Sequence, residues 1–433
     1  MESIRSERIR NIFETTPTEI INIILYFTVN KVIELCQVNK YFNDNVKRIR
    51  ITSYSRYYDV RLEQLRSLPN LTKLTLTNHS NINDIQSLTK LTYLDISSNH
   101  NIKEISKLVN LTSLDLRDNN LITNKEISLL HNLTSLNLTY NGLINDEGIF
   151  NLTNLTKLKL CGYHKITDKS VSKLTNLTYL DLERASNITD NGISALTNLK
   201  YLNLNENEEI TDDGIYNLTN LTCLNLSGNT EISDEVLYNL ISLTELNLEE
   251  GSAVSDEGIS FLTRLNTLHL RENDTITDRG IVTLTNLTYL DLDTVNGITD
   301  LTPFPKLLGL DLCNNDVITN ISNLTNLTEL NLDNNNIIKE ISGNLQKLSL
   351  AHNEMITDEE IRNLTNITKL NLNGNDLITD FGIAQLTKMV TLELSYNDKI
   401  TSVSNFSNLN KLLLYGNVTI NKTEIDKIHN LKK

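Results

Sequence analysis

The sequence predicts an α/β solenoid, with a parallel β-sheet on its concave face and short helices and 3₁₀ turns on its convex face. The pattern Leu-x-x-Leu-x-Leu, or a variant beginning with Ile or Met, starts at seventeen positions from Leu71 to Leu409, about 21 residues apart. Hydrophobic residues form only 39% of the 433-residue chain, so burial must depend on this regular spacing. One such unit cannot bury its own leucines, whereas stacked units can, which predicts a horseshoe or an arc.

Most units also carry Thr after the first Leu and Asn at the ninth position, a pattern that resembles the leucine-rich repeat consensus. The leucines of the x-Leu-x-Leu segment should point inward from a short strand. The Asn side chain should bond backbone groups where the chain turns away from the strand. This column of asparagines comprises Asn99, Asn119, Asn141, Asn207, Asn229, Asn273, Asn315, Asn335, Asn353, Asn375, Asn397 and Asn417. We assign residues 71–433 to a leucine-rich-repeat domain of about seventeen repeats.

The length of a unit predicts its convex side. Units beginning from Leu111 to Leu265, and those at Leu345 and Ile367, have 22 residues and contain Ile-Thr-Asp-x-Gly-Ile or a close variant. Thr or Ser before an acidic residue is typical of a helix N-cap, with the acid near the positive end of the helix dipole. We therefore expect a short helix in these units. The units of 18 or 20 residues should instead form a 3₁₀ turn or extended chain.

The segment before the repeats has a different composition and reads as two or three short helices. Its sequence, FETTPTEIINIILYFTVNKVIELCQVNKYFNDNV, resembles an F-box through a Pro-x-Glu start, an apolar first helix and a later Val-x-Lys-x-Phe. We assign residues 1–45 to an F-box-like helical module and residues 46–70 to a capping repeat and linker. The resemblance implies that this module binds the Skp-type adaptor of a cullin-RING ubiquitin ligase. The implied adaptor-binding residues are Pro17, Glu19, Ile20, Ile24, Leu25, Phe27, Val38 and Phe42.

Charge and composition argue against several other classes of function. The net charge of −15 disfavours nucleic acid and anionic membranes as partners, because both attract cationic surfaces. The longest apolar run is far shorter than the roughly 20 residues of a membrane span. The seven histidines show no metal-ligand spacing, and no phosphate-binding loop is present. We expect neither an enzyme nor a cofactor or metal.

The four cysteines fall in separate parts of the predicted fold, so no disulfide is expected. Free thiols suit a reducing compartment. Residues 1–14 contain no apolar run of the kind that a secretory signal needs. The sequence therefore predicts a cytoplasmic or nuclear protein, or one in the host cytoplasm if it comes from a parasite or virus.

The side chains between the strand leucines should face outward from the sheet and contact a partner. Between residues 177 and 293 acids dominate these positions, and tyrosines recur in one column. Tyrosines among carboxylates suit a protein target with Lys or Arg side chains, although a merely solvated face is the alternative. The predicted target-binding residues are Tyr179, Asp181, Glu183, Tyr201, Glu245, Glu249, His269, Arg271, Tyr289, Asp291 and Asp293.

An F-box followed by leucine-rich repeats resembles the substrate-recognition subunits of SCF-type ubiquitin ligases. This resemblance implies that the F-box docks the adaptor while the repeats select the target. Two alternatives stay open. The chain could be a leucine-rich-repeat scaffold without a link to ubiquitin, or a host-interaction protein, because its short units also resemble those of bacterial internalins.

Overall fold

The computed structural model describes residues 48–51, 62–77, 82–341, 343–420, 422–425 and 428. The F-box-like module predicted for residues 1–45 lies outside these residues. The chain divides into two compact units, Met1–Tyr201 and Leu202–Lys433. In each unit, leucine-rich repeats stack into a solenoid with a parallel sheet, which confirms this part of the fold prediction.

The strands of each unit pair in parallel and in chain order, because every repeat contributes one short strand at the same place. In the first unit the pairing runs from β1 to β7, with Arg48 opposite Lys73 in β1 and β2. These strands are β1 (Arg48–Ile51), β2 (Lys73–Leu76), β3 (Tyr93–Asp95), β4 (Ser113–Asp115), β5 (Ser135–Asn137), β6 (Lys157–Lys159) and β7 (Tyr179–Asp181).

The strand β8 (Tyr201–Asn203) lies at the boundary between the units. In the second unit the pairing runs from β9 to β18. The strands are β9 (Cys223–Asn225), β10 (Glu245–Asn247), β11 (Thr267–His269), β12 (Tyr289–Asp291), β13 (Gly309–Asp311), β14 (Glu329–Asn331), β15 (Lys347–Ser349), β16 (Lys369–Asn371), β17 (Thr391–Glu393) and β18 (Lys411–Leu413).

Short helices follow the strands in the 22-residue units, as their length and N-cap pattern predict. They are α2 (Asn124–Ile127), α3 (Asp146–Ile149), α4 (Asp168–Val171), α5 (Asp190–Ile193), α6 (Asp212–Ile215), α7 (Asp234–Leu237), α8 (Asp256–Ile259), α9 (Asp278–Ile281), α10 (Asp358–Ile361) and α11 (Asp380–Ile383). Two further helices, α1 (Leu62–Arg66) and α12 (Lys422–Ile425), lie near the ends of the described residues. No described helix combines the length and hydropathy that crossing a membrane requires.

The shorter units turn without a helix. In them a single backbone hydrogen bond closes each turn, as between the Leu88 N–H and the Ile85 carbonyl at 2.9 Å. Such a bond spans three residues, so the 3₁₀ prediction holds for isolated turns only. The repeats therefore differ on their turn side while keeping the same strand.

The ninth-position asparagines bind backbone groups, as predicted. Asn119 is fully buried, and its Nδ2 donates to the carbonyls of Ile96 and Asn99 at 3.0 and 3.1 Å. Its Oδ1 accepts from the N–H groups of Leu121 and Ile122, both at 3.1 Å. One amide side chain thus satisfies four backbone groups and ties each repeat to the one before it.

The acids of the Ile-Thr-Asp-x-Gly-Ile pattern have a role beyond the helix dipole. Asp256 accepts from the backbone N–H of Thr277 in the next repeat at 2.7 Å and from its hydroxyl at 2.6 Å. The glycine of the pattern makes room for this carboxylate, because a Cβ at Gly280 would lie 2.5 Å from Asp256 Oδ1. The Thr, Asp and Gly together form a contact between repeats.

Candidate functional site: the open face of the sheet

The strands present one row of side chains to the core and the others to an open face. In β7, Leu180 is fully buried, whereas Tyr179 and Asp181 on either side of it face outward. We call the first and third strand positions, and the second residue after the strand, columns one, three and five of the open face. Tyr179, Asp181 and Glu183 represent these three columns in one repeat.

Around Tyr179 in the first unit, the side chains of the open face pair with one another. The rings of Tyr179 and Tyr201 stack with centroids 4.0 Å apart and planes 1° from parallel. The ammonium of Lys157 lies 4.1 Å from the centre of the Tyr179 ring. The Nζ of Lys159 lies 3.2 Å from Asp181 Oδ2, and Asp181 is only 4% exposed. Lysines of the same sheet therefore already occupy this tyrosine and this carboxylate.

The pKa values of the first unit agree with this pairing. Burial by itself lowers the pKa of Lys159, but Asp181 and then Tyr179 outweigh it, so the pKa is raised. Cys161 lies beside Asp181 and Glu183, with one ligand atom of each within 4.8 Å of the others. Burial and then the charge of Asp181 raise the pKa of the Cys161 thiol to about 12, so it stays protonated near neutral pH.

In the second unit the open face carries a histidine between two acids. The Nδ1 of His269 lies 3.8 Å from Glu249 Oε1 and 3.9 Å from Asp291 Oδ2. Interaction with Asp291 is the largest cause of a raised pKa for His269, against the opposing effect of burial. The charges of Glu249 and Glu245 raise it further. The sequence placed these residues on one surface but did not predict this cluster.

Arg271 interacts with two of the acids on this face, Glu249 and Glu250. The guanidinium of Arg271 bonds Glu250 at 2.9 Å, and both side chains are more than 40% exposed. Its charge acts on Glu249 as well, but the two side chains form no ion pair. Ion pairs this exposed contribute little to stability.

Carboxylates continue past the predicted boundary at residue 293. Asp311 lies opposite Asp291 in column three, and burial followed by the charges of Asp291 and Asp293 raises its pKa to about 6. Burial and then Asp291 and Asp311 also raise the pKa of Tyr289. The sequence interpretation missed Asp311, Glu329 and Asp333 because its window stopped at Asp293, although all three occupy the same columns.

Lysines occupy column one in the strands that follow. Lys347, Lys369 and Lys411 line an open groove of about 450 Å³ that begins at Tyr289. Lys347 pairs with Glu329, and Lys411 lies 3.1 Å from Glu393. The acidic part of the open face in the second unit therefore extends from Glu245 to Asp333.

The residues predicted to bind a target fall into two groups that lie in different units. Tyr179, Asp181, Glu183 and Tyr201 belong to the first unit, where Tyr179 stacks on Tyr201 and Asp181 pairs with Lys159. The second unit contains Glu245, Glu249, His269, Arg271, Tyr289, Asp291 and Asp293. The predicted adaptor-binding residues, Pro17, Glu19, Ile20, Ile24, Leu25, Phe27, Val38 and Phe42, lie outside the described residues.

Comparison with known families agrees with the repeats seen in both units. The family model described as leucine-rich repeat matches residues 87–103, 107–125, 130–153, 173–196, 196–218, 217–235, 261–284 and 363–384. The matched parts of the chain are leucine-rich repeats. Proteins with such repeats generally act as interaction scaffolds, and no catalytic family matches the chain. No curated protein sequence matches it.

Several solved structures are similar over most of the chain. A leucine-rich-repeat protein of Leptospira interrogans is 25% identical, with a TM-score of 0.50, over 91% of this chain and 95% of that one. The mouse RP105/MD-1 complex contains a chain that is 21% identical, with a TM-score of 0.50, over 86% and 71% of the two chains. An internalin of Listeria monocytogenes is 29% identical, with a TM-score of 0.40, over 77% and 88%.

Proposed function

We propose that the protein is a binding scaffold whose acidic open face in the second unit takes a protein partner with Lys or Arg side chains. One observation carries this proposal. Among the described residues, no lysine or arginine forms an ion pair with Glu245, Asp291 or Asp311. Burial is the main cause of the raised pKa of Asp311, and the charges of Asp291 and Asp293 raise it further, so a cationic partner would relieve the repulsion among these carboxylates.

The spacing of the sheet suits an extended basic segment. Side chains in one column recur about every 4.8 Å, so basic side chains along a segment could meet several carboxylates. Charges at the rim mainly set the association rate and the salt dependence. The half-buried ring of Tyr289 is placed to contribute affinity by becoming fully buried.

Fluorescein-labelled octalysine tests the proposal by anisotropy with the full chain. Glu245→Lys combined with Asp293→Lys should weaken binding at least tenfold and flatten its salt dependence. The matched control is Glu235→Lys with Glu257→Lys, which reverses two exposed acids in the helices of the same unit and changes the net charge equally. Equal weakening by both pairs would mean that overall charge, and not the open face, binds the peptide.

We further propose that the chain is the substrate-recognition subunit of an SCF-type ubiquitin ligase, acting in the cytoplasm or nucleus. The support is the F-box-like pattern of residues 13–46, in which Pro17 and Glu19 precede an apolar stretch of sequence and Val38, Lys40 and Phe42 follow it. In this proposal the module docks a Skp-type adaptor while the acidic open face holds the target.

Co-purification of the full chain with a Skp-type adaptor tests the ligase proposal. Pro17→Ala combined with Ile20→Ala should abolish adaptor binding while leaving the octalysine affinity unchanged. The control is Glu7→Ala with Arg8→Ala, which lies outside the F-box-like pattern. If the unmodified chain does not bind the adaptor, the protein is a leucine-rich-repeat scaffold without a link to ubiquitin.

A further inference from the structure

Three side chains with metal-binding atoms converge on the open face of the second unit. His269 and Asp291 are opposite one another in β11 and β12, and His269 is opposite Asn247 in β10. Glu249 follows Asn247 by two residues. One ligand atom of each of Glu249, His269 and Asp291 lies within 4.8 Å of the other two. Three successive repeats thus contribute one donor each.

The distances between these atoms leave space for an ion. His269 Nδ1 lies 3.8 and 3.9 Å from the two carboxylate oxygens, beyond hydrogen-bond length. Donor atoms in a tetrahedral zinc site stand about 3.4 Å apart, because each lies about 2.1 Å from the ion. On binding, His269 Nδ1 and each carboxylate oxygen would approach by about half an ångström, and the two oxygens start within 4.8 Å of one another.

Neighbouring groups restrain two of the donors. The Oδ1 of Asp291 accepts from the Asp293 N–H at 3.0 Å, so that carboxylate presents its Oδ2 to His269. The ring of His269 rests on Tyr289, with ring centres 5.2 Å apart. The side chains of Glu249, His269 and Asp291 are 20%, 25% and 13% exposed, so water competes only partly for the donors.

A similar group in the first unit lacks the conditions for a metal. Cys161, Asp181 and Glu183 also converge, but Lys159 already pairs with Asp181 at 3.2 Å. In the second unit Arg271 bonds Glu250, and its charge acts on Glu249 without an ion pair between the two side chains. Within the described part of the chain, no lysine or arginine forms an ion pair with Glu249 or Asp291.

We propose that Glu249, His269 and Asp291 bind a divalent transition-metal ion of the Zn²⁺ class. One imidazole nitrogen and two carboxylate oxygens form a donor set that suits such an ion, and three protein ligands leave a coordination position for water or a partner's side chain. The ion would neutralise two acids of the open face. Sequence motifs missed this site because its donors are 20 and 22 residues apart, in separate repeats, and not within one short motif.

Co²⁺ is the probe, because its visible absorption reports coordination. Titration of the full chain in metal-free buffer at pH 7 should show one Co²⁺ bound per chain and displaced by Zn²⁺. His269→Gln should lower the Co²⁺ affinity at least tenfold. The controls are His352→Gln, an exposed histidine of the same unit, and Asp181→Asn in the first unit, and both should bind Co²⁺ as the unmodified chain does. Failure to bind Co²⁺, or binding that survives His269→Gln, would overturn the proposal.

A second measurement needs no variant and decides the matter if His269→Gln fails to fold. Diethyl pyrocarbonate modifies accessible imidazole nitrogens, and mass spectrometry locates each modified histidine. Saturating Zn²⁺ should slow modification of His269 at least tenfold while leaving His352 unchanged. Equal rates at His269 with and without Zn²⁺ would overturn the proposal.

Discussion

The open face around Tyr179 in the first unit and the open face around His269 in the second have the same strand geometry but different chemistry. In the first, Lys157 and Lys159 contact the tyrosine and the carboxylate beside them. In the second, Asp291 and Glu249 flank a histidine, and the next strand adds another acid. The repeat determines the positions of the side chains. The identity of a few residues then determines whether the acids of a surface are already paired with cations.

The difference in pairing indicates which of the two surfaces is better suited to bind a partner. A paired surface must break its own contacts before it can receive a partner, which costs affinity. A surface with crowded acids gains when a cation arrives, because their repulsion is relieved. This contrast supports the proposal that a partner binds the second unit, although the sequence alone did not distinguish the two regions.

The largest expected effect is on stability, and it comes from the buried strand leucines that both regions share. Leu180→Asp in the first unit and Leu246→Asp in the second should each destabilise the protein by several kcal/mol, because both leucines are fully buried. Thermal unfolding followed by circular dichroism measures the loss. Ser135→Asp, which places the same residue on the open face, should have little effect. Unchanged melting of either leucine variant would mean that its strand register is wrong.

Removing one cationic side chain from each region should lower stability by different amounts. Lys159→Ser should cost about 1–3 kcal/mol, because it leaves the buried Asp181 without its ammonium partner. Arg271→Ser should cost less than about 0.5 kcal/mol, because its pair with Glu250 is exposed. Urea unfolding compares the two. Equal losses would erase the distinction between a paired face and an unpaired one.

The pH dependence of stability should reflect the acids of the second unit. The folded-state pKa of Asp311, about 6, lies above its usual value of 3.8, so the folded state binds its proton more tightly than the unfolded state. Stability from this group is therefore present below pH 4 and is lost as the pH rises through 6. Asp311→Asn removes the ionisation and keeps an oxygen for the Cys313 N–H.

The advantage of Asp311→Asn over the unmodified chain should grow between pH 4 and pH 7, by on the order of 1 kcal/mol after allowance for solvent exposure. Urea unfolding in buffers containing EDTA measures it without interference from metal. Asp115→Asn provides the comparison in the first unit, where burial also raises the pKa of Asp115 but Arg117 opposes the shift. A constant difference across this range would contradict the assigned environment of Asp311.

The smallest effects concern the tyrosine column. Tyr201→Ala should lower stability by about 1 kcal/mol through loss of the stack with Tyr179, without changing octalysine binding. Tyr289→Ala should instead speed octalysine dissociation about threefold. Stopped-flow anisotropy measures the dissociation rates. The assignment would be reversed if Tyr201→Ala released the peptide faster and Tyr289→Ala did not.

The sequence predicted the repeat, its strands and its helices because burial of Leu180 or Leu246 depends on spacing alone. It also predicted the role of Asn119, because a buried amide at a turn must form hydrogen bonds and the nearest partners are backbone groups. It gave only part of the role of Asp256. The carboxylate contacts Thr277 in the next repeat, and that contact depends on stacking distance, which spacing does not reveal.

The open face could be predicted as a set of columns but not as a set of interactions. Lys159 and Asp181 are 22 residues apart, and whether they pair depends on rotamers and on burial. The same holds for His269 between Glu249 and Asp291. Reading each column across neighbouring repeats, and not within one repeat, is the signal that would have found both groups.

Carboxylate labelling tests the central claim most directly. The full chain is treated with a carbodiimide and glycine ethyl ester, with and without saturating octalysine, and mass spectrometry measures the modification of each acid. Glu245 and Asp293 in the second unit should be protected, whereas Glu183 in the first unit should react at the same rate in both samples. Protection of Glu183 without protection of the second-unit acids would contradict the account.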